Sequence, residues 1–149
     1  MTYRHTQIGW AMIVILGGGS AFLTWAATKS GGLASAVVLA VVVLLLVILV
    51  LFVSLTVTVD DERVELRMGQ GLIRRRIPLS DVLSVDRMKL PWWAVGYGIR
   101  MSLNGKRQLW RVSGSDAVNL QLSGERLLLI TSDEPDALAA VIRSAIESR

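Results

Sequence analysis

Two groups of side chains in this sequence are equipped to engage a partner, and both are cationic. Arg74, Arg75 and Arg76 are the densest charge in the chain. Alternate residues of an extended segment share a face, so Arg74 and Arg76 project together while Arg75 turns to the side of Ile73 and Ile77. Such a pair suits anionic lipid headgroups, at about 1 kcal/mol per residue beside an anionic leaflet, fading within a Debye length. The competing reading is a solvated strand whose charges discourage edge-to-edge pairing. Arg87, Lys89, Trp92 and Trp93 form the second group, where cations and indoles in one loop suit a membrane interface. Packing of an indole within the domain is the alternative, and Trp110 reads as core or domain surface.

Other chemistry lacks raw material. His5 is the only histidine, on a polar lead of residues 1–7 expected to be mobile, and there is no cysteine. Metal sites, serine–histidine pairs and thiol nucleophiles are therefore not expected. Gly17, Gly18, Gly19 and Ser20 lack the Gly-Lys-Ser/Thr of a phosphate loop and lie in an apolar segment. Asp133, Glu134 and Asp136 cluster where a helix begins, and the helix dipole accounts for acids there. Nucleic-acid binding would need aromatics interleaved with the basic run, which the sequence does not have. The expectation is a protein without catalytic activity, cofactor, metal or nucleic-acid partner.

These residues must be positioned by a chain of two unlike parts. All twelve acidic residues lie after position 59, and the net charge of +4 hides a strongly basic middle. Residues 63–111 hold eleven basic side chains and only Glu65, Asp81 and Asp86 against them. The first third is nearly free of charge. Ser35 is the only polar residue in 33–53, a run whose helical length of roughly 30 Å matches the hydrocarbon core of a bilayer. Residues 8–28 carry no charge either and read as a first, glycine-richer span with Trp10 and Trp25 near its ends. A cleaved signal peptide is the competing reading for that segment.

Only Lys29, Ser30, Gly31 and Gly32 separate the spans, so they must form an antiparallel hairpin. Gly17 with Ala21, and Ala36 with Ala40, place small residues where two helices can approach. Arg4, Arg63 and Arg67 flank one side of the hairpin and Lys29 alone the other, which puts both termini and the soluble domain in the cytoplasm and the hairpin in the inner (plasma) membrane. Residues 1–53 are thus expected as the membrane hairpin and 54–149 as the soluble domain.

From residue 54 the period changes to two. Leu55, Val57 and Val59 alternate with Ser54, Thr56 and Thr58, and Val64, Leu66 and Met68 with Arg63, Glu65 and Arg67. Further short strands are expected over 72–77, 82–90, 99–103, 107–113, 117–122 and 126–131, separated by turn residues such as Asn104-Gly105 and Ser123-Gly124. This spacing predicts an antiparallel meander curling into a barrel or sandwich. A C-terminal helix follows, capped by Ser132 or Asp133, with Pro135 in its first turn and Leu138, Val141, Ile142 and Ala145 as its apolar stripe.

Strands followed by one amphipathic helix is the element order of the pleckstrin-homology (PH) fold. The Arg74 to Val82 segment, Pro91-Trp92, Gly96-Tyr97-Gly98-Ile99-Arg100, Val112-Ser113-Gly114 and Asp133-Glu134-Pro135 resemble small bacterial membrane proteins that carry a PH-like domain behind a helical hairpin. That resemblance implies a PH-like antiparallel β-barrel of about seven strands, and a membrane-anchored, self-associating module without enzymatic chemistry. One departure stands out. The first hairpin turn is Asp60-Asp61-Glu62, where inositol-phosphate-binding PH domains place basic residues. The function expected is a binding or assembly module for a membrane protein or for itself, the alternatives being a sensor of anionic lipid headgroups or a structural subunit of an envelope or transport complex.

Overall fold

The computed structural model describes residues 3–91 and 96–148. The chain begins with strand β1 (Tyr3–Ile8), then two helices, α1 (Trp10–Ala27) and α2 (Gly32–Phe52). Strands β2 (Ser54–Val59), β3 (Arg63–Met68) and β4 (Ile73–Pro78) complete a four-stranded antiparallel sheet in the order β1-β2-β3-β4. A 3-10 turn over Leu79–Asp81 leads to β5 (Val82–Lys89), β6 (Gly98–Met101), β7 (Arg107–Arg111), β8 (Asp116–Leu122) and β9 (Arg126–Thr131), and the chain closes with α3 (Pro135–Glu147).

The residues expected as a mobile polar lead are a strand. β1 pairs with β2 over six residues, from Tyr3 opposite Val59 to Ile8 opposite Ser54. The alternation that would give this strand away is hidden because both of its faces are polar. Tyr3, His5 and Gln7 turn inward, and the inward groups are bonded rather than apolar: Gln7 donates to the Thr131 carbonyl and accepts from Ser113 Oγ at 3.0 Å, and His5 Nε2 lies 2.6 Å from Asp133 Oδ1. The helical hairpin is therefore the loop of a β-hairpin, leaving the sheet after Ile8 and returning to it at Ser54.

Both helices are long and apolar enough to cross a membrane, with mean hydropathy 1.6 for α1 and 3.5 for α2, and neither is covered by the β-domain over most of its length. They pack through Met12, Ser20 and Ala27 on one side and Val42 on the other, with Ser35 Oγ donating to the Ala27 carbonyl at 3.3 Å. Ala21, Ala36 and Ala40 are exposed and a Cβ on Gly17 would meet nothing, so the expected small-residue seam is not the contact. The π-helical turn over Ile13–Gly17 adds a residue to one turn and rotates the remainder of α1, which moves the seam onto Ser20 and Ala27.

The second sheet has the order β5-β8-β9-β7-β6, with β7 and β9 parallel. A simple meander was the expectation. β9 instead inserts between β8 and β7, because Leu127, Leu128, Leu129 and Ile130 make it the most apolar strand and a central position covers both its edges. Among the described residues no strand pairing joins the two sheets, so they do not close into a barrel. Pro78 ends β4 without an N–H for the ladder, and the 3-10 turn then carries the chain across to the other sheet.

The core lies between the sheets. Leu55, Val57, Val59, Val64, Leu66 and Met68 face Trp110, Val118, Leu120, Leu128 and Ile130, and the α3 stripe closes it with Leu138 and Ile142 fully buried and Val141 and Ala145 packed beside them. Ser132 Oγ accepts from the Glu134 N–H at 3.1 Å just ahead of α3, and Pro135 stands in its first turn.

Two backbone contacts lock the hairpin to the sheet. Gly9 N donates to the Val53 carbonyl at 2.7 Å, and Gly69, with φ +59, leaves so little room that a Cβ would stand 2.2 Å from the Leu51 oxygen. Gly105 shares the left-handed backbone, φ +67, with open space around it. Gly105→Ala should cost about 1 kcal/mol of left-handed strain, and Gly69→Ala at least twice that, since the α2 backbone must also move. Thermal unfolding of the full-length protein in detergent checks the pair, and equal losses would contradict the close junction.

Candidate functional site

The cationic residues singled out from sequence do not gather in one place. Arg74 and Arg76 lie exposed on the outer face of β4, an edge strand, and Arg75 turns inward between the sheets. Arg87 and Lys89 belong to β5 of the other sheet. Trp92 and Trp93 lie outside the described residues.

Several of these cations are committed to the fold. The Arg75 guanidinium donates to Gln108 Oε1 on β7, tying the two sheets together. Burial, and then the like charge of Arg126, pull it below its usual pKa range. Arg87 reaches Asp136 at the start of α3 with both carboxylate oxygens at 2.9 Å, and Asp116 at 3.6 Å, so it clamps the helix onto β5. Arg143 repeats that clamp from the helix side, donating through Nη2 to the Val85 carbonyl at 2.9 Å. Trp110 is core.

The cations that lie together are on the outer face of the four-stranded sheet. The strand registers place Arg67 opposite Arg74, Glu65 opposite Arg76, and Arg4 opposite Thr58 two strands away. Glu65 is the acid at its centre. Arg67 donates to it through Nε and Nη2 at 3.1 Å each, and Arg76 through Nε at 3.4 Å. Glu65 is only 6% exposed although it sits on an outer face, because the two guanidinium groups lie across it. The hydrogen bonds from Arg67 hold its carboxyl below the usual carboxylate range against the opposing effect of desolvation. Two arginines on one carboxylate still leave the trio positive, and Arg74, bonded through Nε to the Gly71 carbonyl at 2.6 Å, extends that charge toward the hairpin.

The membership of Arg67 in this face was readable from the alternation of β3, whereas that of Arg4 required β1 to be recognised as a strand. A polar cleft of about 370 Å³ at the foot of α1, lined in part by Gln7, Trp10, Tyr97, Ser113 and Asp133, has its main polar groups already bonded to each other or to His5 and Thr131. Among the described residues no cluster of three His, Cys, Asp or Glu has the placement of a metal site. No protein-family model matches the sequence, and no curated protein matches it at a significant level.

The Glu65 trio sets a pH dependence. Its carboxyl titrates lower in the folded protein than in the unfolded chain, where the value is about 4.3. The folded state therefore gains from ionised Glu65 above that pH and loses the gain as pH falls through the lowered value. The unfolding midpoint of the wild type should exceed that of Glu65→Gln at pH 7, with the gap narrowing below about pH 4. A gap of the same size at pH 3 would contradict the pairing.

Proposed function

We propose that the chain is a membrane-anchored binding and assembly module with no chemistry of its own, of the kind found in small bacterial proteins with a helical hairpin and a PH-like domain. The two sheets and α3 are then an open variant of that domain. The observation that carries this reading is the junction: the hairpin is spliced between β1 and β2 in continuous register, with Gly9 and Gly69 pressed onto the end of α2. A flexible tether would let the domain sample all orientations. This junction allows one, so the arginine face of the four-stranded sheet is held at a set height and angle above the bilayer.

Arg67, near the spans, and Arg4 and Arg63, toward the far end of the same sheet, lie on the domain side against Lys29 alone at the far turn, which supports an inner-membrane location with the domain on the cytoplasmic side. Confinement to the surface raises the effective concentration of the face toward other membrane proteins, so a weak interface suffices. The partner is another membrane protein, or a second copy that meets the face through a different surface, with an acidic segment at that height. The face that meets it comprises Arg4, Thr58, Glu65, Arg67, Arg74 and Arg76.

In-cell photo-crosslinking of the full-length protein tests this, with the photoreactive residue at Thr58 or Arg76 on the face and at Leu83 on the other sheet as control. The expected result is one discrete protein adduct from the face positions and none from Leu83. Absence of any protein adduct from Thr58 and Arg76 would overturn the assembly reading.

A further inference from the structure

Where the arginine face meets the hairpin, the turn between β3 and β4 hangs beside α2. Leu72, 69% exposed, projects from that turn and with Val43, Leu46, Val47, Val50 and Leu51 lines an open groove of about 320 Å³ with an almost wholly apolar wall. The four valine and leucine positions from 43 to 50 recur at helical spacing and lie on a flank of α2 about a quarter-turn from Val42, the contact with α1. From Val43 to Leu51 is about 12 Å of helix, less than the roughly 15 Å depth of one leaflet. The groove thus stays within the leaflet on the domain side.

Its upper end is cationic. Arg74 Nε is bonded to the carbonyl of Gly71, the residue before Leu72, and the guanidinium lies 3.5 Å from where a Gly71 Cβ would be. That bond uses one of five N–H donors. Arg67 stands opposite Arg74 on β3. An apolar wall of acyl-chain depth, with the Arg74 guanidinium beside its end at the height where the sheet begins, is complementary to an anionic phospholipid.

We propose that this groove seats one anionic phospholipid of the domain-side leaflet, its chain along α2 against Leu72 and its phosphate at Arg74. A second copy of the chain is a poorer occupant, since the same face on the partner would bring its own Arg67 and Arg74 against these. The seat rests on the membrane placement above but not on the assembly partner. It also explains why a leucine is left exposed between Gly71 and Ile73: in lipid it is covered.

The test is native mass spectrometry of the full-length protein released from nanodiscs containing equal phosphatidylglycerol and phosphatidylcholine. The wild type should retain one phosphatidylglycerol at least fivefold over phosphatidylcholine. Arg74→Gln should abolish the preference, Arg74→Lys should keep most of it, and Val47→Trp, which fills the groove, should lose the bound lipid. Lys106→Gln, in the turn before β7 of the other sheet, should behave as wild type. Equal retention of the two lipids, an unchanged preference in Arg74→Gln, or a lipid-free dimer would overturn the seat. Recovery of the protein in the soluble fraction after alkaline washing of membranes would overturn the membrane placement as well, whereas the first three outcomes leave that placement standing.

Discussion

The six-residue ladder between β1 and β2 is the constraint on which the rest of the molecule depends. A chain that leaves a sheet at Ile8 and rejoins it at Ser54 must bring the ends of its two helices to one β-strand spacing, about 4.8 Å. The short turn through Lys29 and Ser30 holds their other ends together. The hairpin is therefore fixed at both ends, and its axis and the sheet share a frame. Without the ladder the domain would be a ball on a single string at Val53.

Charge follows from that frame. The basic middle of the sequence looks like a broad anionic-ligand surface, but folding distributes it. Arg75 bridges the sheets, Arg87 holds α3, Arg126 lies 3.8 Å from Asp81 and Lys106 2.6 Å from Glu125. Exposed pairs such as the last two contribute little to stability, and the arginines that share one face are those on the outer side of the four-stranded sheet. There Glu65 sets the spacing of two arginines, and Arg74 stands at the end of the sheet beside α2.

The parts of this structure that repeat with a clear period were legible in the sequence. The two apolar helices, the inward residues of β2 and β3, the opposite facing of Arg75 relative to Arg74 and Arg76, and the buried stripe of α3 all follow from local pattern. What depends on distant partners was not. β1 shows no apolar face because Gln7 and His5 are satisfied by Ser113, Thr131 and Asp133, more than a hundred residues away. The insertion of β9 beside β7 is decided by which strand gains most from a central position, and no turn signal records it. The groove at Leu72 needed both the turn and the helix in place, since neither Leu72 nor Val47 is distinctive alone.

The most direct test of the fixed hairpin uses the natural absence of cysteine. Thr6 and Thr56 are register partners whose hydroxyls lie 2.8 Å apart, while Thr6 and Thr58 are two residues out of register. In the full-length protein in membranes, mild oxidation of Thr6→Cys with Thr56→Cys should give rapid and nearly complete intramolecular disulfide, and Thr6→Cys with Thr58→Cys little. Equal and slow cross-linking of the two pairs would mean that residues 3–8 do not join the sheet, and that the domain hangs from α2 alone.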